Sequence, residues 1–221
     1  MKVAQIWRYP VKSMGGEGLN HPRIGSLGIQ GDRVVHVEDA RGHVITARTH
    51  PRLLGHHATL NESGEPVVGG LLWSDPKVRT DVVDIVGPGA RLVRDESINR
   101  FDVLPLLVAT DGAIAAFGHD GRRLRPNLVI GGVEGLAERS WPGQCLRIGD
   151  VVIWIQDLRG RCIMTTFDPD SLKQDRQVLT GIVQKFGGTL ALNCDVIRGG
   201  EIRVGDAVEL VPEHECEAIR A

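Results

Sequence analysis

The chain has 221 residues and a formal net charge of −2 at pH 7, so it is long enough to bury a core as one large domain or two small ones. The near balance of charge does not favour a general nucleic-acid or membrane-surface binder, and an aromatic content of 4% weakens any base-stacking platform. No apolar run is long enough for a membrane span, and the N-terminal MKVAQIWRYP lacks the apolar stretch of a secretory signal. We therefore expect neither a nucleic acid nor a membrane as a partner.

The first half of the chain reads as short strands at close spacing. Residues 3–9 predict a strand with alternating faces, and 87–89 (GPG) separate two further strands. Turns are predicted at 39–42 and 61–65. The predicted strands cover 3–9, 32–38, 43–48, 56–60, 66–69, 82–86 and 90–93. This spacing is typical of a compact barrel or sandwich.

The second half predicts strands mixed with two helices. Asp111 is a candidate cap for a short helix over 112–119, and 175–186 is the best helix candidate, with a Gly-Gly stop after it. The predicted strands cover 128–130, 145–148, 151–155, 190–197, 201–204 and 207–211, with turns at Gly149-Asp150 and over 157–160. A polar stretch at 94–102 suggests a seam, which predicts domains at 1–94 and 95–221.

The four cysteines are Cys145, Cys162, Cys194 and Cys216, and they show neither a CxxC pair nor a zinc-like spacing. We expect free thiols in a reducing, cytoplasmic compartment. Cys162 stands out because it follows a predicted strand and lies beside Arg159 and Arg161, whose charges favour the reactive thiolate. The alternative is a small buried core cysteine, which is common for this residue type.

Four basic and polar clusters lie at predicted strand ends, next to glycine or proline. They are Lys12-Ser13, Asp32-Arg33, Arg122 to Asn127 (RRLRPN) and Arg161-Cys162. Arginine forks suit phosphate and carboxylate, so the set predicts a site for a ligand with a phosphate and several ring heteroatoms. The alternative for each cluster is solvated surface charge with a few ion pairs.

Several motifs in the chain together resemble a known family. YPVKSMGGE at 9–17 and the segment 18–53 resemble the N-terminal β-barrel domain that precedes a MOSC domain, and LRPNLVIGG, ERSW, LRIGDV, GRCIMTTFDP and GGEIRVGDAVEL resemble the MOSC domain itself. The family includes the mitochondrial amidoxime-reducing component, bacterial relatives that detoxify hydroxylamino compounds, and the C-terminal part of molybdenum cofactor sulfurase. The resemblance implies a β-rich α+β fold, in which a small N-terminal β-barrel packs on a MOSC β-barrel, and a pterin-based molybdenum cofactor (molybdopterin).

Residue by residue, the resemblance implies that the thiolate of Cys162 binds molybdenum and is the catalytic residue. The positions implied to hold the pterin and its phosphate are Lys12, Ser13, Arg33, Arg125 and Asn127, with Arg161 beside the metal ligand. Arg48 matches a recurrent arginine of unassigned role. Val103-Leu104 stand where the reductases of the family have polar residues.

The resemblance implies an oxidoreductase that reduces small N-hydroxylated compounds. Because the chain ends at Ala221 without a ferredoxin-like domain, electrons are expected from a separate ferredoxin- or flavin-type protein. Two alternatives stay open at this point: a sulfur-transfer protein that carries a persulfide on Cys162, and a non-enzymatic carrier of the cofactor.

Overall fold

The computed structural model describes residues 1–220 and confirms a β-rich α+β fold. The helices are α1 Pro76–Val86, α2 Asp111–Phe117, α3 Arg176–Phe186 and α4 Glu213–Arg220. The strands are β1 Lys2–Arg8, β2 Glu17–Leu19, β3 Arg23–Gly25, β4 Gly28–Ile29, β5 Val35–Glu38, β6 Val44–Ile45, β7 Ala58–Leu60, β8 Pro66–Val68, β9 Leu71–Leu72, β10 Arg91–Arg94, β11 Leu106–Thr110, β12 Leu128–Gly131, β13 Cys145–Ile148, β14 Val151–Gly160, β15 Thr189–Arg198, β16 Gly200–Glu201 and β17 Glu209–Val211.

One large sheet organises the fold, with the order β17-β13-β14-β15-β11-β12-β1-β2. Three small three-stranded sheets, β10-β5-β6, β16-β3-β4 and β7-β8-β9, accompany it. Side chains such as Ile6, Leu128 and Ile153 form the main core on the large sheet, and a second core forms around Val35 and Leu53. Because β1 and β2 pair into the sheet built by the second half, the first strand ends beside β12. The boundary between 1–94 and 95–221 stays a prediction.

The alternation expected in the first strand is wrong. Val3 and Ile6 are both buried, although three positions separate them. The pairing of β1 with β12 shifts register between Val3 and Gln5, which marks a bulge. An extra residue in one strand moves the following side chains to the opposite face, so strict alternation cannot hold across it.

The strand expected at 82–86 is also wrong, because these residues complete α1. Asp75 caps the helix by accepting a hydrogen bond from the backbone N–H of Lys77, and Pro76 occupies the first turn. Val78 and Val82 lie one helical turn apart and are both buried, which is the pattern of an amphipathic helix. The expected strand after the GPG turn is confirmed as β10.

The helix expected over 175–186 is confirmed as α3, with Asp175 as its cap. The helix expected after Asp111 is confirmed as α2, but its cap is Thr110, whose hydroxyl accepts from the backbone N–H of Ala113. Asp111 instead accepts from the backbone N–H groups of Gly132 and Val133.

The turn expected at 157–160 is wrong, because β14 continues to Gly160 and pairs with β15 as far as Thr189. Irregularities in this pairing absorb the Asp157 to Gly160 segment. Cys162 therefore lies two residues past the end of a ten-residue strand, which confirms its expected position at a strand end.

The expectation of four free thiols is wrong for two of them. Cys145 on β13 and Cys216 on α4 form a disulfide, with their Cα atoms 5.6 Å apart, and Cys162 and Cys194 are free. The two bonded cysteines are 71 residues apart, so no local spacing indicated the pair. The cytoplasmic location stays a prediction, because the cysteine argument for it now rests on the two free thiols alone.

Within residues 1–220, no helix combines the length and apolar character needed to cross a membrane.

Glu138 is a fully buried carboxylic acid whose ionisation should weaken the fold. Its Oε2 accepts a hydrogen bond from Thr110 at 3.3 Å, while Oε1 has no partner within the described residues. Burial raises the pKa of Glu138, so its stabilising contribution is present below the ordinary glutamate pKa and is lost as pH rises through the folded-state pKa.

We expect Glu138→Gln to raise stability at pH 8 by about 1 kcal/mol relative to the parent, and to change it much less at pH 5. Urea unfolding at both pH values measures the difference. If the substitution changed the free energy of unfolding equally at pH 5 and pH 8, ionisation of the Glu138 carboxyl would not be what lowers stability.

Candidate functional site

A cleft at the ends of β1 and β14, called here the cationic cleft, brings together six of the seven residues singled out in the sequence: Lys12, Ser13, Arg33, Arg125, Arg161 and Cys162. Three further arginines, Arg48, Arg123 and Arg159, also line it. Among the described residues that line the cleft, Asp102 is the one carboxylate. Seven cations and one acid line the cleft within the described residues, and although Asp32 and Asp168 outside it pair with two of these cations, the cleft is electropositive in a chain whose net charge is −2.

Cys162 sits where its backbone is fixed and its sulfur lies beside Arg48. Its carbonyl accepts from the backbone N–H of Thr165 at 3.1 Å and from the hydroxyl of Thr165 at 2.9 Å. It caps the 3-10 helix Ile163–Thr166 without a side-chain capping bond. The half-buried sulfur therefore lines the cleft. The alternative of a buried core cysteine describes Cys194 instead, where burial raises the thiol pKa.

Arg161 and Arg48 lie next to Cys162. Arg161 pairs with no carboxylate among the described residues, and Arg48 shares the carboxylate of Asp102 with two other cations. Arg161 donates from Nη2 to the carbonyl of Leu124 at 2.8 Å, and its buried Nε has no partner among the described residues. Burial first, and then the charge of Arg159, lowers the pKa of Arg161 to about 10. Burial alone would lower the pKa of Arg48, but the neighbouring Cys162 sulfur and Asp102 outweigh it and raise that pKa. Arg48, which the sequence left without a role, thus lies beside Cys162.

Asp102 holds three cations of the cleft together. Its carboxylate lies 2.9 Å from the ammonium of Lys12, 2.6 Å from Arg48 and 3.5 Å from Arg159. Burial favours a raised pKa for Asp102, but the hydrogen bond and charge of Lys12, followed by Arg48 and Arg159, lower it to about 2. Asp102 is therefore ionised at neutral pH. Sequence reasoning missed it, because its partners come from three distant segments.

Arg33 and Arg125 flank the buried ring of Tyr9. Their guanidinium carbons lie 5.4 Å and 4.2 Å from the ring centroid, within reach of a cation–π interaction. Arg33 pairs with the buried carboxylate of Asp32, whereas Arg125 has neither a carboxylate nor a side-chain hydrogen bond among the described residues. Burial lowers the pKa of Arg125. A half-buried cation without an anion is a ready binding group for one.

Asn127 occupies a different place from the other six. It is fully buried, accepts from the backbone N–H of Leu107 at 3.1 Å and donates to the carbonyl of Trp7 at 3.3 Å. Its Oδ1 also lies 3.4 Å from Nη1 of Arg33. It lines a smaller adjoining cavity together with Val103 and Leu104. Asn127 therefore links β1 to β11 through hydrogen bonds and contacts the guanidinium of Arg33.

Three of the expected site residues have an unusual backbone. Ser13, Arg33 and Arg125 have φ values of 69°, 54° and 55°, in the left-handed region that disfavours residues with a side chain. Leu172 and Ala191 are the other two such residues in the described chain. Each costs on the order of 1 kcal/mol or more, and such residues cluster at functional sites.

We expect Arg125→Gly to be about 1 kcal/mol more stable than Arg125→Ala, since glycine adopts positive φ without steric cost. Thermal or urea unfolding of the two variants measures the difference. The control is Arg147 in the interior of β13, where the alanine variant should be the more stable one. The same order at both positions would contradict the strained backbone at Arg125.

The donor groups of the cleft suit a metal that arrives within an organic cofactor. No cluster of three or more His, Cys, Asp or Glu side chains suited to a metal ion occurs among the described residues. A metal already held by an anionic organic cofactor needs one soft protein ligand and a cationic surround. Cys162, Arg125 and the free Nε of Arg161 supply both, so the residues fit such a group.

Comparisons with known proteins match two domains and several relatives. Residues 1–85 match the family model described as the MOSC N-terminal beta barrel domain, and residues 113–209 match the MOSC domain. The human mitochondrial amidoxime-reducing component 1 is 27% identical, over 95% of this chain and 82% of that protein. The human mitochondrial amidoxime reducing component 2 is 24% identical, over 93% and 82%. The crystal structure of the YuaD protein from Bacillus subtilis has a TM-score of 0.53 at 13% identity, covering 95% of this chain and 94% of that one, which supports the fold.

Proposed function

Because the chain belongs to the MOSC-domain proteins and carries a MOSC N-terminal β-barrel domain, we propose that it binds a molybdenum cofactor in the cationic cleft and reduces small N-hydroxylated compounds. The observation that carries the proposal is the free, half-buried thiol of Cys162 in a cleft with seven cations and one carboxylate. The names of the relatives, amidoxime-reducing components, support the class of reaction.

The residues of the cleft divide the work of holding the cofactor. The Cys162 thiolate is the soft ligand for molybdenum, and Lys12, Arg33 and Arg125 bind the anionic part of the cofactor. Arg161, with its free Nε, lies next to the ligand and places a positive charge beside it. Ser13 adds a hydrogen bond, and Asn127 orients Arg33.

A bound molybdenum cofactor would supply the two-electron redox chemistry for cleavage of an N–O bond. The balanced reaction is R–NHOH plus two electrons and two protons giving R–NH₂ and water. The charged side chains nearest to Cys162 are arginines, and within the described residues no neutral general acid takes their place. Their positive charges stabilise negative charge in the cleft. The protein's own part is to bind, orient and electrostatically tune the group.

Electrons are supplied in this proposal by a separate ferredoxin- or flavin-type protein. Within the described residues the free cysteines are Cys162 and Cys194, which are too few for an iron–sulfur cluster. The proposed setting is the cytoplasm.

The test uses protein from a molybdenum-replete host that makes the cofactor. With a chemical reductant in place of the partner, we expect conversion of an aryl hydroxylamine to the amine. Bound molybdenum without turnover would instead support a cofactor carrier. A persulfide on Cys162 in protein without molybdenum would support sulfur transfer.

A further inference from the structure

A second pocket, called here the apolar pocket, lies against the cationic cleft and has no part in the chemistry described so far. Its walls include the aromatic or aliphatic side chains of Trp7, Leu54, Phe167 and Pro169. Its empty space is about 560 Å³ when the solvent at its mouth is included.

The two cavities share a wall. Arg123, Arg125 and Met164 line both of them, and Met164 lies two residues after Cys162. Tyr9, which packs against Arg125, lines the apolar pocket. A small molecule that spans the shared wall would therefore place one end near Cys162 and the other among the apolar side chains.

The charges of the two cavities differ. Arg122 lies 2.7 Å from both Asp120 and Asp170, and Arg123 lies 3.0 Å from Asp168. Their positive charges are thus neutralised at the rim of the apolar pocket. Arg125, at the wall shared with the cationic cleft, is the one arginine of the pocket without an ion pair among the described residues. Away from that wall the pocket favours a neutral, apolar occupant.

Two glycines form part of the wall of this pocket. A Cβ on Gly15 would lie 2.8 Å from Nδ1 of His57, and one on Gly16 would lie 2.2 Å from the carbonyl oxygen of Arg8, so the chain packs too closely here for a side chain. The wall at these positions is therefore backbone.

We infer that the apolar pocket holds a neutral ring of the substrate whose N-hydroxylated group is reduced at the cationic cleft. The inference rests on the proposed function. It makes Leu54, Phe167 and Met164 determinants of specificity, with ring-bearing substrates preferred over small aliphatic ones.

The first test measures binding alone, on the protein without cofactor. Benzyl alcohol is the ring probe and ethanol its ring-free counterpart. We expect benzyl alcohol, but not ethanol, to shift the backbone amide resonances of Gly15 and Gly16. Leu54→Trp, which fills the pocket, should weaken this binding at least tenfold, whereas Leu71→Trp on the exposed β9 should leave it unchanged. If Leu54→Trp does not fold, Phe167→Ala should weaken it about fivefold through lost ring contacts.

The second test compares turnover by the cofactor-loaded enzyme of an aryl hydroxylamine and of N-methylhydroxylamine. Leu54→Trp should raise KM for the aryl compound about tenfold or more and leave the methyl compound unchanged. An equal loss for both substrates, or no shift of Gly15 and Gly16 with benzyl alcohol, would overturn the inference. Ring binding that Leu54→Trp blocks, together with no turnover of either compound, would overturn the proposed function while leaving the pocket as a ring-binding site.

Discussion

Replacing Cys162 by alanine should abolish reduction of N-hydroxylated compounds, by a factor of about 1,000 or more, and leave the fold intact. The substitution removes the one cysteine thiol that lines the cationic cleft among the described residues, and with it the proposed protein ligand of the cofactor's metal. The sulfur of Cys162 is half-buried and makes no side-chain capping bond, so its loss should cost about 1 kcal/mol or less. Turnover and melting temperature of the variant measure the two effects.

Cys194→Ala is the matched control. This thiol is fully buried in the core and lies 3.7 Å from the carbonyl of Leu192. Its removal should therefore lower stability more than Cys162→Ala does, by about 1–2 kcal/mol, and leave turnover unchanged. Parent-level activity in Cys162→Ala would rule out the ligand role, and unfolding of that variant would instead assign Cys162 to the core.

Arg125→Ala should lower retention of the cofactor about 10- to 100-fold, since a charge-assisted hydrogen bond contributes roughly 1.5–3 kcal/mol. Arg125 is the cleanest position for this test. It has no ion pair among the described residues, so its removal leaves no carboxylate unpaired. Arg33→Ala should show the same loss together with lower stability, because it strands the buried carboxylate of Asp32. Cofactor content after gel filtration, with the melting temperature, measures both.

Arg147→Ala is the control for charge, because Arg147 is paired with Glu209 on the distant strands β13 and β17. It should leave cofactor content unchanged. If Arg33→Ala and Arg125→Ala both retained the cofactor as the parent does, their assignment to its anionic part would be wrong.

The convergence of Lys12, Arg33, Arg125, Arg161 and Cys162 could be predicted because each lies at a strand end marked by glycine or proline. This prediction needs no knowledge of long-range contacts, because exposed polar side chains commonly lie in the loops that follow strand ends. Their individual roles stay predictions.

Asp102, Tyr9 and the position of Asn127 could not be read from the sequence. Asp102 lies in a polar stretch that is typical of a linker, and only the folded chain brings Lys12, Arg48 and Arg159 to it. A serine or an arginine does not indicate a positive φ as a glycine does, so the strained backbone at the site could not be predicted from the sequence.

The wrong prediction of a strand at 82–86 has a local cause, and the sequence also contains a feature that predicts the helix α1. A short run such as 82–86 (VVDIV), with four β-branched residues around one aspartate, is compatible with either a strand or a helix. The Asp75-Pro76 pair, a helix cap followed by a proline in the first turn, is the feature that distinguishes them. The disulfide between Cys145 and Cys216 offered no such signal, because it depends on the packing of α4 against β13.

The central claim is that Cys162 binds molybdenum, and metal analysis tests it most directly. The parent and Cys162→Ala proteins are purified side by side from a molybdenum-replete host that synthesises the cofactor, and molybdenum is measured per polypeptide. We expect close to one molybdenum per polypeptide in the parent and a much lower molybdenum content in Cys162→Ala, at an unchanged melting temperature. No molybdenum in the parent, or equal amounts in both proteins, would contradict it.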